Sequence, residues 1–241
     1  NIGGVVVSNA TLHNEDEIIR KDIRVGDVVN VERAGDVIPH VVSVDLNSRK
    51  KNSKRFNFPT NCPSCGGKTV KDFNEVTKKI DAVRRCSSQD YLCDKISIEK
   101  LKHFVSKEAF NIDGLGKKIV ENFWNLKLIK LPNDIFSLNY QKIEKLDGWG
   151  NLSISNLKYS IKEKQKISLE RFIYSLGIRH IGQENAKLIA RHLQSPSNFF
   201  KLLNKKNIET LSDIDGIGET QINSIKNFFS NKTNLEVLNE L

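Results

Sequence analysis

The chain has 241 residues, 38% hydrophobic and 28% charged, with 38 Lys and Arg against 29 Asp and Glu, a net charge of +9 and a pI near 9.3. That length holds two or three small domains, and the basic balance favours a polyanionic partner. No run has the length of a transmembrane helix and no N-terminal stretch reads as a targeting peptide, so a cytoplasmic location is expected. The chain starts at Asn1 and contains no methionine, which reads as a piece of a longer product.

Residues 1–56 read as β structure with one short helix. Val5-Val6-Val7 is strand-like, and Asn14 is placed to cap a helix with Glu17 reaching back in a capping box. Val25-Gly26-Asp27 then turns the chain. Val28–Arg33 and Val37–Val44 read as two strands joined through Ala34-Gly35-Asp36, with Pro39 at an edge or a bulge because it cannot donate to a ladder. Short strands and tight turns suit a small barrel such as an OB-fold, or any other small β-barrel. Arg49-Lys50-Lys51-Asn52-Ser53-Lys54-Arg55 has nothing apolar to bury and reads as a solvated linker.

All four cysteines lie between residues 62 and 93. Cys62-Pro63-Ser64-Cys65 has the spacing of a knuckle that supplies two thiolates from one turn, and Gly66-Gly67 permits the backbone bend. Cys86 and Cys93 supply the second pair. Four thiolates close a tetrahedral zinc site and leave no position for substrate, so the site is read as structural. The other readings are two disulfides or buried thiols; the lysine-rich composition without a secretory signal argues for a reducing compartment.

After Cys93 the pattern becomes helical. Ile98, Leu101, Phe104 and Val105 share one face, and then a short unit recurs. Its copies are Ala109-x-x-Ile112-x-Gly114-Leu115-Gly116, Ile143-x-x-Leu146-x-Gly148-Trp149-Gly150 and Leu211-x-x-Ile214-x-Gly216-Ile217-Gly218. A variant, Ile173-x-x-Leu176-Gly177-Ile178-Arg179-His180-Ile181-Gly182, reads as two residues longer. Closing glycines at 116, 150, 182 and 218 give a helical-hairpin period. Helices are expected after each of them, with Ser168 capping Leu169–Leu176, Gly177 stopping it, and Ser195-Pro196 opening the next. A Gly-hydrophobic-Gly turn admits a ligand close to the backbone and aims helix N-terminal N–H groups at it, an arrangement suited to phosphate. Lys117, Lys118, Arg179 and His180 add cations. Binding of this kind is sequence-independent and falls with salt.

Lys145-Leu146-Asp147-Gly148 matches the Lys-x-Asp-Gly signature of covalent nucleotidyltransferases. That chemistry needs a lysine of depressed basicity in a closed pocket with companion motifs. None is visible, and Leu146 and Gly148 already serve the second hairpin, so Lys145 is read as a solvated cation.

Taken in order, these strings resemble the NAD-dependent DNA ligases of bacteria. Ala10-Thr11-Leu12-His13-Asn14 and Arg33-Ala34-Gly35-Asp36-Val37-Ile38-Pro39 resemble the family's OB domain. Cys62-Pro63-Ser64-Cys65-Gly66 looks like its zinc finger. Lys102-His103-Phe104-Val105-Ser106, Ile112-Asp113-Gly114-Leu115-Gly116 and Arg171-Phe172-Ile173-Tyr174-Ser175-Leu176-Gly177-Ile178-Arg179 resemble its helix-hairpin-helix domain. The resemblance implies a multidomain α+β chain: an N-terminally truncated OB-like barrel over 1–56, a four-cysteine zinc finger over 57–96, and an all-α domain of four hairpin repeats over 97–241. It implies zinc on Cys62, Cys65, Cys86 and Cys93. It also implies contacts with a nicked duplex through Arg33, Gly114, Gly116, Lys117, Lys118, Gly148, Gly150, Arg179, His180, Gly182, Gly216 and Gly218. Asn9 stands where many members carry arginine, which leaves Arg33 as the better OB contact. NAD, Mg²⁺ and the lysine that receives AMP belong to a nucleotidyltransferase domain outside this chain, so no catalytic residue is expected here. The chain is expected to be monomeric, with no membrane partner. The competing class is a stand-alone zinc and hairpin adaptor in DNA repair.

Overall fold

A computed structural model describes residues 6–34, 38–74, 77–88 and 91–241, and for Arg33, Ala34 and Lys205 the backbone alone. Two compact units divide the chain, Asn1–Ser87 and Ser88–Leu241.

In the first unit, helix α1 (Glu15–Arg20) precedes a ribbon of β1 (Val29–Ala34) and β2 (Ile38–Val44). Asn14 caps α1 by accepting from the Glu17 N–H at 3.0 Å. The reciprocal half of the capping box does not form. The Glu17 carboxylate instead takes Arg20 at 2.7 Å and Lys21 at 3.2 Å, because cations three and four residues on lie over the same helix face. β1 and β2 pair antiparallel, with Arg33 opposite Pro39 and an irregularity at Asn30/Val31. Pro39 accepts from the Thr11 N–H at 2.8 Å, so its missing donor lies on the side turned away from β1 and the β1 ladder loses nothing. The expected strand at Val5–Val7 does not form over its described part: Val5 lies outside the described residues, and Val6 and Val7 pair with no strand among them. The proposed turn at Gly35-Asp36 also lies outside the described residues.

Ile18, Ile23 and Val41 form a small core with Ala10, Val29, Val31, Val44 and Phe58 around it. So little apolar surface needs help, and polar clasps supply it. Arg49 is the main one, and its position corrects the linker reading of 49–55. Its guanidinium grips Asp27 at 3.0 and 2.8 Å, the Asp22 carboxylate at 2.6 Å and the Asp22 carbonyl. The Asp27 side chain is only 1% exposed. The adjoining Lys50, Lys51 and Lys54 stay exposed, as a charge run normally does.

A second ribbon follows, β3 (Thr69–Asn74) antiparallel to β4 (Lys79–Cys86). Arg84 on β4 forms a bidentate pair with Glu15 of α1 at 2.9 and 3.0 Å, and Lys71 on β3 reaches Asp16 at 2.6 Å and Glu15 at 3.3 Å. The ribbon is therefore tied to α1 by four charged side chains.

The second unit is helical. Its helices are α2 (Asp94–Phe104), α3 (Lys117–Asn125), α4 (Tyr140–Ile143), α5 (Asn151–Glu163), α6 (Leu169–Ser175), α7 (Gln183–Leu193), α8 (Pro196–Phe200), α9 (Lys205–Ile208), α10 (Glu219–Ser230) and α11 (Lys232–Glu240). They pack around two apolar clusters. One runs from Leu101 to Ile161 and includes Phe104, Phe110, Val120 and Phe123; the other runs from Ile173 to Leu238 and includes Ile189, Phe199, Ile225 and Phe229. Phe172 packs against both. Each cluster thus serves one pair of hairpins. Ser195 caps α8 by accepting from Asn198, and Pro196 sits where no donor is needed. Ser168 precedes α6, but its side chain makes no capping bond. Gly177, at φ +61°, ends α6, and a Cβ there would meet the His103 ring at 3.4 Å. His103 uses that room to donate from Nε2 to the Tyr174 carbonyl at 2.7 Å.

Candidate nucleic-acid interface and metal centre

The four repeats fold into four copies of one turn. In each, an N–H bonds back three residues to a carbonyl: Leu115 to Ile112 at 3.3 Å, Trp149 to Leu146 at 3.1 Å, Ile181 to Ile178 at 3.1 Å and Ile217 to Ile214 at 3.0 Å. The third residue of each turn has positive φ: +91° at Gly114, +82° at Gly148, +62° at His180 and +91° at Gly216. These are the marks of a type II turn, whose third position favours glycine. The reading of the third copy as two residues longer is therefore corrected. Its turn has the same length as the others, with His180 standing where they have glycine.

Histidine tolerates this conformation better than most residues, and the environment explains why it sits in this copy. A Cβ on Gly114 would meet Leu157 at 3.4 Å and one on Gly216 would meet Leu188 at 3.2 Å, whereas one on Gly148 meets nothing within 4 Å. In the first hairpin pair, then, the turn at Gly114 packs against its partner's helix and the one at Gly148 faces open space, and in the second pair the turn at Gly216 packs against its partner's helix. His180 belongs to a turn of the second pair, whose other turn, at Gly216, is the packed one. Asn185 braces it, donating to the His180 carbonyl at 2.9 Å.

The residue after each turn's buried or half-buried hydrophobic is the closing glycine, and it is the N-cap of α3, α5, α7 and α10 in turn. Gly116, Gly150 and Gly182 have ordinary extended backbone, at φ −64°, −87° and −82°, and a Cβ on any of them would enter open space. No side chain caps the helices they begin. Nothing inside the fold demands glycine at these positions. The fourth copy differs: the Gly218 N–H donates to Gln221 Oε1 at 3.2 Å.

All seven of these glycines are exposed, as are Lys117, Lys118, Arg179 and His180. The first two turns share a groove of about 520 Å³ lined by Asp113, Gly114, Asp147, Gly148, Trp149 and Ser153. Arg33 has a described backbone only, paired with Pro39 across the first ribbon. Lys145 is exposed, not enclosed as adenylyl-transfer chemistry requires.

The metal-ligand pattern also closes in space. The four cysteine sulfurs lie within 4.8 Å of one another, and Cys65 and Cys86 Sγ are 3.5 Å apart. None is in a disulfide. Four thiolates at about 2.3 Å from a tetrahedral ion stand about 3.8 Å apart, so this donor set fits one. Local structure prepares it. The Cys62 carbonyl accepts from Gly66 at 2.9 Å, the Cys62 N–H donates to Gly67 at 2.6 Å, and Gly66 takes φ +73°. Cys86 ends β4, and Cys93, 1% exposed, is the N-cap of α2 with its carbonyl held by Ser97 Oγ at 3.0 Å.

Sequence reasoning missed Arg49, the Glu15–Arg84 pair, Asn185 and Gln221. Only the last left a local signal, a glutamine three residues after an N-cap.

Four turns of one kind, each opening a helix at an uncapped glycine, define a chain of helix-hairpin-helix type. Comparison with known proteins agrees. Residues 1–53 match the NAD-dependent DNA ligase OB-fold domain and residues 171–238 match the helix-hairpin-helix motif. The chain is 76% identical over 241 residues to a DNA ligase of Pelagibacter ubique (strain HTCC1062), covering all of this chain and 36% of that protein. It is 47% identical over 245 residues to a DNA ligase of Wolbachia pipientis subsp. Culex pipiens and 43% identical over 259 residues to one of Xanthobacter autotrophicus, again covering all of this chain and 36% of each relative. The chain spans about a third of the length of the curated DNA ligases it matches, and along that span it is similar to them. The stand-alone adaptor reading finds no support among them. No helix among the described residues is long and apolar enough to cross a membrane.

Proposed function

We propose that this chain is the DNA-gripping part of an enzyme that seals 5′-phosphate/3′-hydroxyl nicks in duplex DNA. The observation that carries the reading is the set of closing glycines. Gly116, Gly150 and Gly182 have no conformational or packing reason to be glycine, and each opens an uncapped helix. A phosphate brought up to those N–H groups supplies the missing reason. Lys117 and Lys118 at the first turn, and Arg179 and His180 at the third, reinforce the attraction. The fourth turn is the weakest candidate, with its first N–H already bonded and with Asp213, Asp215 and Glu219 around it.

Zinc is the cation proposed for Cys62, Cys65, Cys86 and Cys93, where it would hold the knuckle and add folding free energy without touching substrate. The three-part division at residues 56 and 96 remains part of this proposal. The sealing reaction belongs to the whole enzyme, in which NAD supplies the adenylate and Mg²⁺ acts outside this chain. A nucleotidyltransferase domain of the whole enzyme is the expected partner in cis, and a four-thiolate metal site suits a cytoplasmic location.

Binding of the zinc-loaded chain to nicked and intact duplexes of one sequence, over a salt series, tests the reading. A steep salt dependence with no sequence preference is expected. Absence of binding at low salt would overturn it.

A further inference from the structure

The hydrophilic run over residues 49–55 is a fixed turn. Arg49 pins its start on Asp22 and Asp27. The Ser53 N–H donates to the Lys50 carbonyl at 3.0 Å and closes the turn, while Arg24 Nη1 donates to the Ser53 carbonyl at 2.8 Å and ties it to the body of the first unit. A few residues on, Phe58 packs on the small core. Blocks of like charge ordinarily repel one another and stay disordered. This one is anchored on both sides, and Lys50, Lys51, Lys54 and Arg55 are all exposed on it.

The carboxylates that could neutralise those cations are already engaged. Asp22 is taken by Arg24 and Arg49, and Asp27 by Arg49. Asp45, the one acidic residue of 45–58, accepts from the Asn47 N–H at 3.0 Å and from Ser48 Oγ at 2.6 Å. Arg55 reaches Asp22 only at 3.6 Å and its side chain stays 81% exposed. Lys50, Lys51 and Lys54 form no ion pair with any described residue. The fold thus gathers positive charge at one place and supplies nothing to balance it.

A row of phosphates would balance it. Lysine is a mobile point charge suited to phosphate, and it is depleted from protein–protein interfaces. Residues 50–55 include no apolar side chain to form the core of a protein interface, and the next residue, Phe56, leans edge-on against Phe58 at 5.4 Å. We infer that the turn over residues 50–55 is a second phosphate-binding element, in which Lys50, Lys51 and Lys54 hold the backbone of duplex DNA. The inference rests on the proposed duplex-binding role but uses none of the hairpin turns.

The test uses the zinc-loaded chain and a labelled duplex of one sequence, with affinity read by anisotropy over a salt series. Lys50→Gln/Lys51→Gln/Lys54→Gln removes three phosphate contacts and should lower the salt slope by about 2.7, so that the parent's advantage shrinks about 40-fold between about 50 and about 200 mM salt. The matching arginine triple keeps the charge and should keep the slope. Glutamine at Lys201, Lys206 and Lys232, exposed lysines that flank the fourth turn in sequence, removes the same charge and should change the slope by less than about one. Duplex should also shield Lys50, Lys51 and Lys54 from acetylation, read by mass spectrometry. Zinc content and thermal unfolding report folding, and the first variant should match or exceed the parent because repulsion is removed. An unchanged slope in that variant, or an equal fall in the charge control, would overturn the site. Shielding of these lysines by polyglutamate but not by duplex would also overturn it and point to an acidic protein. If the parent chain binds no duplex at all, the duplex-binding reading falls and takes this site with it; if the parent binds and the first variant binds alike, this site falls alone.

Discussion

Alanine at Gly148 and at Gly216 separates two costs that the turns combine. Both glycines have positive φ, +82° and +91°. An L-residue held there costs about 1–2 kcal/mol, and the stiffer unfolded chain returns about 0.4–1 kcal/mol. For Gly148, whose Cβ would meet nothing within 4 Å, those two terms are all there is, and a net loss of about 1 kcal/mol is expected. At Gly216 the new methyl stands 3.2 Å from Leu188 Cδ1, which packs against the second apolar cluster. Displacing it adds a share of the roughly 1–3 kcal/mol that overpacking costs, for a total of about 2–3 kcal/mol. His180→Gly runs the other way: it removes the strain of a side chain at φ +62° and frees the unfolded chain, so the same two terms give a net gain of up to about 1 kcal/mol, less whatever the imidazole's own contacts contribute. Thermal unfolding of the zinc-loaded variants, followed by circular dichroism at 222 nm, reads the series at about 2–4 °C per kcal/mol. Equal losses at Gly148 and Gly216 would refute the assignment of a packed turn to Gly216 and an open one to Gly148.

Chelation of the metal, or Cys62→Ser, is expected to abolish the knuckle. Protein purified without chelator should contain close to one zinc per chain by elemental analysis, and a value far below one would count against the site. Acid should weaken the first unit. Arginine and lysine partners hold the Asp22 and Glu17 carboxyls at about 2, and Asp27 and Glu15 are also held below the usual range by Arg49 and Arg84. Groups with lowered folded-state values stabilise above the unfolded value, so this contribution is complete above about pH 5 and is lost progressively toward pH 2. Arg49→Ala should flatten that acid limb; an unchanged acid titration of amide resonances for residues 20–27 would contradict the clasp. Glu15→Gln should loosen the second ribbon, seen as faster amide exchange in β3 and β4 with no change in helices α2–α11.

The parts of the fold that were legible from sequence are those set by short spacings. The Cys-x-x-Cys knuckle, the Asn14 cap and the Gly-hydrophobic-Gly turns each involve residues within a few positions of one another, and all form as expected. The failures have a common cause in distance or competition. Glu15 and Arg84 are 69 residues apart, and no local pattern pairs them. Arg49 looked solvated because its run is hydrophilic, yet its two aspartate partners lie 22 and 27 residues back. Glu17 was free to complete a capping box but had better electrostatic partners in Arg20 and Lys21. Counting residues hid the identity of the third turn, because backbone conformation and not the letter glycine defines its third position. His180 at φ +62° satisfies it.

The central claim is that the closing glycines exist for phosphate and not for the fold. Serine at Gly116, Gly150 and Gly182 tests it directly. Serine is a better N-cap than glycine, and the space at each position is open, so the triple variant should match or exceed the parent in thermal stability. The same hydroxyls would occupy the N–H groups and crowd the approach, and loss of a charge-assisted bond at each turn should weaken duplex binding by about tenfold per turn, whatever the DNA sequence. A stable triple variant that binds duplex DNA as tightly as the parent would contradict the account.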